Sequence, residues 1–100
     1  MIELRGYVDE NGNKRFAQWL DGLDAAAAAK VTLALARMEQ GNFSNVEGVG
    51  SGVFEYKIDF GPSYRIYFGK DGDRLVILIG GGIKKRQYRD IAAAQECWSA

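Results

Sequence analysis

Histidine is absent from this chain of 100 residues, and cysteine occurs once, at Cys97. Without histidine the chain cannot build a serine–histidine or cysteine–histidine nucleophile pair, and it lacks the ligands of an ordinary zinc site. A single cysteine also excludes an internal disulfide bond. The sequence therefore excludes a large part of common hydrolase and metalloenzyme chemistry.

Long apolar runs are also missing. No segment approaches the roughly 18 to 20 residues that a membrane span needs, and the N-terminal MIELRGYVDE lacks the basic-then-apolar order of a signal peptide. We therefore expect a cytoplasmic protein with no membrane partner. The chain is 47% hydrophobic, enough for one compact core, so we expect a single domain spanning 1–100.

Net charge is zero, with 13 Lys and Arg residues against 13 Asp and Glu residues, and this balance gives no argument for a nucleic-acid partner. The cations are nevertheless clustered in GGGIKKRQYRDI, which begins at Gly80 and contains Lys84, Lys85 and Arg86. Helical spacing from Tyr88 onward predicts a C-terminal helix beginning here, where cations cost a few tenths to about 1 kcal/mol. Either the cluster is solvated, or a negative group lies beside it when the protein functions.

The first half of the chain predicts a strand and a helical hairpin. IELRGYV alternates as a short strand does, and apolar residues at helical spacing from Phe16 to Leu23 predict a first helix. Asp24 is a suitable N-cap for a second helix that ends before Gly41. The apolar stripe of that second helix consists of Ala28, Val31, Leu35 and Met38.

The second half predicts a three-stranded antiparallel meander. NFSNVEGVGSG, residues 42–52, is interpreted as a polar connection, after which VFEYKIDF and SYRIYF alternate with period two. LVILI, residues 75–79, is apolar on both faces, as a covered strand is.

Matching faces and turn lengths predict the register of both hairpins. The predicted pairs are Phe54–Phe68, Tyr56–Ile66, Lys57–Arg65 and Ile58–Tyr64 in the first hairpin, and Phe68–Leu75, Ile66–Ile77 and Tyr64–Ile79 around a two-residue Asp71-Gly72 turn in the second. One face then forms a continuous core under the helical hairpin. The reverse face carries Lys57, Arg65, Tyr67, Val76 and Leu78.

Two accounts of that reverse face remain open, because like charges directly across a sheet repel one another. In the first, Glu55 and Asp59 neutralise the cations as surface ion pairs. In the second, Tyr67 and Tyr88 join the lysines in a basic, aromatic surface suited to an RNA backbone with stacked bases. RNA carries its own nucleophile in the 2′-OH, so cleavage needs alignment, proton transfer and charge stabilisation but no metal.

Val76 and Leu78 leave a second choice open. If they are uncovered, they form an apolar patch of the kind that marks protein contacts. If they are covered, the C-terminal helix packs on them through Ile91 and Trp98.

The segment FEYKIDFGPSYRIYFGKDGDRLVILIGGGIKKRQYRDIAAAQECW, with GYVDENGNKRFAQWLDGL near the N-terminus, resembles the RelE/ParE superfamily of bacterial type II toxins. The likeness is to the phage-derived Gp49-like or addiction module killer protein branch near HigB, and it covers essentially the whole chain. It implies an α+β fold, a RelE-like small domain with an N-terminal strand, an α-helical hairpin, a three-stranded antiparallel meander and a C-terminal helix.

The resemblance also implies a function. It implies a metal-independent mRNA endoribonuclease that acts on the ribosome, is held inactive by a cognate antitoxin and needs no small-molecule cofactor. Carried over by position, the implied site residues are Lys57, Arg65, Lys84, Lys85 and Tyr88. With the residues of the basic surface added, we predict catalytic roles for Lys57, Arg65, Lys85 and Tyr88 and substrate-binding roles for Lys84, Tyr67 and Arg86. HigB toxins use histidines, which this chain lacks, so the chemistry implied is the lysine- and tyrosine-based version. The alternatives are ParE-like inhibition of DNA gyrase and a toxin-derived binding module without activity.

Overall fold

The computed structural model describes residues 1–99. It consists of a five-stranded sheet with helices on both faces. The strands are β1 (Glu3–Gly6), β2 (Val46–Gly50), β3 (Val53–Ile58), β4 (Tyr64–Asp71) and β5 (Leu75–Ile83). The helices are α1 (Arg15–Asp21), α2 (Ala25–Glu39) and α3 (Gln87–Ser99), with a 3₁₀ turn at Lys84–Arg86. The predicted α+β fold class is confirmed. The predicted domain span of 1–100 includes Ala100, which lies outside the described residues.

The strand order is β1-β5-β4-β3-β2, so β4 lies at the centre of the sheet. Strand β1 runs parallel to β5, and the remaining neighbours are antiparallel. The predicted N-terminal strand, helical hairpin and C-terminal helix are all present. The meander has four strands where three were predicted.

Helix α2 begins and ends where its sequence signals predict. The Asp24 carboxylate accepts a hydrogen bond from the Ala27 N–H at 2.8 Å, and Gly41 follows the helix with a φ of +83°. Its buried residues are Ala27, Val31, Ala34 and Met38, so the centre of the apolar stripe is shifted slightly from the predicted one. No helix within residues 1–99 is both long enough and apolar enough to span a bilayer.

The first hairpin has the predicted register. Phe54 pairs with Phe68, Tyr56 with Ile66, Lys57 with Arg65 and Ile58 with Tyr64. Alternation along both strands excludes a slip of one residue, which would move the apolar side chains to the wrong face, and the short loop between the strands selects this register.

The predicted connection over residues 42–52 is wrong in its centre, where β2 pairs antiparallel with β3. Its sequence, VEGVG, contains two glycines and has low strand propensity, so the pairing depends on the neighbouring strand. The signal that could have revealed β2 is the turn after it. Ser51 and Gly52 both have positive φ, 55° and 80°, as a two-residue hairpin turn requires.

The predicted register of the second hairpin is also wrong. Asp71 pairs with Leu75 and Phe68 with Leu78, because the turn contains three residues, 72–74, rather than two. A bulge at Ile79 then shifts the pairing, and Gly80, Gly81 and Gly82 continue the strand instead of forming a loop.

As a consequence, the apolar residues of β5 lie on different faces from those predicted. Val76 and Leu78 were predicted on the reverse face, but they belong to the core under α1 and α2, so neither of the two alternatives for them on the reverse face applies. Helix α3 does cover the reverse face, through Ile91 and Trp98, but there it packs against a second core. The buried residues of that second core are Val53, Tyr67, Ile79 and Ala94.

Two tryptophans approach the sheet over glycines, which explains part of the glycine content of the strands. Trp19 of α1 lies on Gly81, and Trp98 of α3 lies on Gly69, each so close that an added methyl group would overlap the indole ring. Glycine at these positions lets a large ring pack directly on the backbone of the sheet.

We predict that Gly81→Ala lowers the free energy of unfolding by about 1–3 kcal/mol, because the new methyl group displaces Trp19. Gly80→Ala is the matched control, since a methyl group there meets no atom within 4 Å. Urea unfolding of both variants checks the prediction. Equal stabilities for the two variants would contradict the close packing of Trp19 on Gly81.

Candidate functional site

The sheet register brings cations of three segments to one end of the molecule. Lys57 on β3 lies opposite Arg65 on β4, and Arg65 lies opposite Gly82 on β5. The 3₁₀ turn Lys84–Arg86 follows β5 at once, and the Lys84 N–H donates to the Ser63 carbonyl at 2.8 Å. The basic turn is therefore attached to the same end of the sheet as Lys57 and Arg65.

Four cations at this end of the sheet are exposed, and so is the nearby Tyr88. The cations are Lys57, Lys84, Lys85 and Arg86. Tyr88 is 95% exposed, so its ring is available for contacts outside the chain. Beside it lies an open groove of about 470 Å³. The groove is lined by Lys84, Lys85, Gln87, Tyr88, Ile91, Ala92 and Gln95. Cations at one end and an apolar wall along the helix give this groove the chemistry to hold a phosphate and a flat ring together.

Lys57 is neutralised by a residue of the strand that the sequence did not reveal. Its Nζ lies 2.8 Å from Glu47 Oε2 on β2, and both side chains are largely exposed. The hydrogen bond and the charge of Lys57 lower the pKa of Glu47 below its ordinary value. The first account of the reverse face names Glu55 and Asp59 as the carboxylates that neutralise the cations. For Lys57 this is wrong, because its partner is Glu47. An exposed pair of this kind stabilises weakly, so Lys57 can exchange Glu47 for another anion.

Arg65 and Glu55 form a buried pair under the first turn of α3. Arg65 is 7% exposed and Glu55 is fully buried, with Arg65 Nε 3.8 Å from Glu55 Oε1. Gln87 Nε2 donates to both carboxylate oxygens of Glu55, at 3.1 Å and 2.9 Å. The repulsion expected between Lys57 and Arg65 is thus offset by a separate carboxylate for each cation.

Tyr67 lies in the second core and not on the surface. It is 1% exposed, and its hydroxyl has no hydrogen-bond partner among residues 1–99. Burial raises the pKa of this hydroxyl, and the neighbouring Glu55 carboxylate raises it further. The ring is covered by α3, so the substrate-stacking role implied for Tyr67 is not available in this conformation.

The structure explains why three cations lie where the sequence predicts the start of a helix. Lys84, Lys85 and Arg86 occupy a 3₁₀ turn, and α3 begins only at Gln87 with Asp90 in its first turn. The Asp90 carboxylate lies against Gly82, where a side chain would overlap it. The helix therefore carries the acidic residue that its N-terminus favours. Sequence reasoning missed Gln87 and Asp90, because neither residue belongs to a recognisable capping pattern.

Burial raises the pKa of Asp90, and Arg86 and Arg89 oppose the shift. A raised native pKa means that the folded protein holds this proton more tightly than the unfolded chain does. The contribution to stability is then greatest below the ordinary pKa of 3.8 and is lost as pH rises through the native pKa.

We predict that the stability of Asp90→Asn relative to wild type increases as pH rises from about 3.8, because the variant carries no buried charge. Thermal unfolding of both proteins across the acid range measures this difference, and the other carboxyl groups largely cancel in it. A relative stability that falls with pH would show that the helix dipole and the arginines outweigh burial.

Comparison with known proteins identifies the family. Residues 18–96 match the model of the family described as phage derived protein Gp49-like (DUF891), and this span includes every residue of the site above. A Haemophilus influenzae protein described as uncharacterized is 40% identical over 81 residues, which cover 80% of this chain and 82% of that protein. The chain belongs to the phage-derived Gp49-like family.

Proposed function

We propose that this protein is the toxin of a type II toxin–antitoxin system and that it inhibits translation by cutting mRNA on the ribosome. The observation that carries the proposal is the meeting of Lys57, Arg65 and the basic turn Lys84–Arg86 at one end of the sheet. Membership of the Gp49-like family and the resemblance to RelE/ParE toxins near HigB support the same function.

The proposed reaction uses the 2′-OH of the message as nucleophile. The 2′-oxygen forms a bond to phosphorus while the bond from phosphorus to the 5′-oxygen breaks, which leaves a 2′,3′-cyclic phosphate and a 5′-OH. One proton leaves the 2′-oxygen and one reaches the departing 5′-oxygen. In this proposal Lys57, Arg65 and Lys85 stabilise the negative charge of the phosphorane, and Tyr88 contacts the neighbouring base.

Ribosomal context is part of the proposal because the chain itself binds free RNA weakly. Sequence-independent affinity increases with the number of phosphates neutralised, and this protein has no net charge and a small basic surface. The ribosome then supplies the alignment of the message that the toxin alone does not supply. The protein acts in the cytoplasm, where translation takes place.

A cognate antitoxin is the second partner in this proposal, and it covers the basic surface. Acidic side chains would pair with the exposed lysines, and apolar side chains would enter the groove beside Tyr88. We expect that a complex purified with the neighbouring gene product protects Lys57 and Lys85 from a lysine-modifying reagent, whereas Lys14 stays reactive. Unchanged modification of both site lysines in a stable complex would place the antitoxin elsewhere.

Inhibition of DNA gyrase, as in the ParE arm of the superfamily, is the second candidate. The burial of Arg65 and Tyr67 favours it, because a gyrase inhibitor needs no nuclease residues at the surface. Intact messages accompanied by gyrase-linked double-strand breaks would support this candidate over mRNA cleavage.

Exposed site lysines allow activity to be separated from folding. We predict that Lys57→Ala and Lys85→Ala each slow message cleavage on the order of a hundredfold, because each removes a charge that stabilises the transition state. Thermal stability should change little, since both side chains are exposed. Growth arrest at matched expression and primer extension on cellular messages measure the effect.

Lys14→Ala serves as the control, because Lys14 is an exposed cation that precedes α1 outside the site. It should remain as toxic as wild type. Full toxicity of both site variants, or loss of toxicity only through unfolding, would contradict the assignment of these lysines.

A further inference from the structure

Glu55 is a fully buried carboxylate on the face of the sheet that α3 covers. A carboxylate is rarely buried to this extent unless it is paired, and burying an ion pair is weak evidence for stability. The pair with Arg65 is also not optimised for stability. Its closest approach of 3.8 Å is too long for a hydrogen bond, and Arg65 Nε and Tyr67 Oη stay buried without hydrogen-bond partners among residues 1–99.

The nitrogens of the Arg65 guanidinium group lie in different environments. Its Nε is buried beside Glu55, whereas its terminal Nη nitrogens are not among the buried unpaired atoms within residues 1–99. No side-chain hydrogen bond in that part of the chain uses these Nη nitrogens. Arg65 Nε therefore faces the Glu55 carboxylate without a hydrogen bond to it, and the Nη donors keep hydrogen-bonding capacity on a residue that lies directly opposite Lys57.

Glu55 itself is held from a second direction. Gln87 donates to both of its oxygens, and Gln87 is the first residue of α3, directly after the basic turn. One carboxylate thus connects the arginine of β4 with the segment that carries Lys84 and Lys85. A long, flexible arginine loses freedom in such an arrangement before any ligand arrives, which lowers the entropic cost of phosphate binding.

We propose that Glu55 is a positioning residue that holds the Arg65 guanidinium with its terminal nitrogens directed toward the phosphate site. Glu55 does not contact the substrate and acts only through Arg65. The inference rests on the proposed function, because the phosphate concerned is that of the message.

The test substitutes Glu55→Gln, which preserves the shape of the side chain and one of the two acceptors for Gln87 but removes the charge. The Nε–Hε nuclear magnetic resonance signal of Arg65, assigned by its loss in Arg65→Lys, reports directly on the held guanidinium. We expect a sharp, displaced signal in wild type and a signal at the position of a solvent-exposed arginine in Glu55→Gln. Message cleavage should fall on the order of a hundredfold in the folded variant. Glu96→Gln, an exposed carboxylate on α3, should leave both readouts unchanged.

A double-variant cycle separates positioning from a purely structural role. In an Arg65→Gln background, Glu55→Gln should cause no further loss of cleavage, because Glu55 acts through the missing guanidinium. An additive loss would overturn the proposal. An unchanged Arg65 signal in folded Glu55→Gln would also overturn it, and so would a lost signal with undiminished cleavage, although the proposed function would survive both results.

Two further measurements keep the proposal testable. If Glu55→Gln does not fold, Gln87→Ala is used in its place. We then expect the Arg65 signal to report a more mobile side chain and message cleavage to slow several-fold. No change in either readout overturns the proposal. If wild type leaves messages intact, the proposed function fails, and titration with inorganic phosphate tests Glu55 alone. A phosphate-dependent shift of the Arg65 signal that Glu55→Gln abolishes supports positioning, and no shift in wild type overturns it.

Discussion

Strand β4 lies at the centre of the sheet and is covered by helices on both faces, and this double cover determines which side chains the strand can carry. Residues 64–69 of β4 are all buried, because α1 and α2 pack on one face of the sheet and α3 on the other. Any charge among these six residues must be paired within the chain, and Arg65 obtains its partner from the adjacent strand β3. The same constraint requires close approach of the helices, which glycines in β4 and β5 permit.

The position of α3 determines how much of the basic surface is presented. Its first turn covers the Arg65 and Glu55 pair through Gln87 and places Asp90 over Gly82. The lysines stay outside this cover, on the exposed 3₁₀ turn and on β3. The charged groups of the site therefore fall into two sets, an exposed set of lysines that a partner can reach and a buried arginine that is only 7% exposed.

The first hairpin could be predicted from the sequence, because alternation on β3 and β4 fixes which faces pair and the short loop selects one register among those that remain. Strand β2 could not be predicted from composition, since a glycine-rich segment becomes a strand only through pairing with β3. The second hairpin was mispredicted because Asp71-Gly72 resembles a two-residue turn, whereas the turn spans residues 72–74 and a bulge at Ile79 shifts the pairing again.

The candidate site, like the sheet, could be predicted from the sequence only in part. Alternation placed Glu55, Lys57 and Arg65 on one face, and the cation cluster after Gly82 is visible in the sequence. The pairing of these charges was not predictable, because Glu47 lies on the unrecognised strand and Gln87 reaches Glu55 across 32 positions of the chain. Contacts of such separation follow from the tertiary fold and leave no local pattern.

We propose that this basic surface cuts mRNA only in the decoding context, and a reconstituted translation reaction can separate cleavage on the ribosome from cleavage of free message. Purified protein is added to a defined message with and without ribosomes, and the new 3′ ends are examined chemically. We expect cuts inside the translated frame that end in 2′,3′-cyclic phosphate and that require ribosomes. An intact message on translating ribosomes, at protein concentrations that arrest growth in cells, would contradict it.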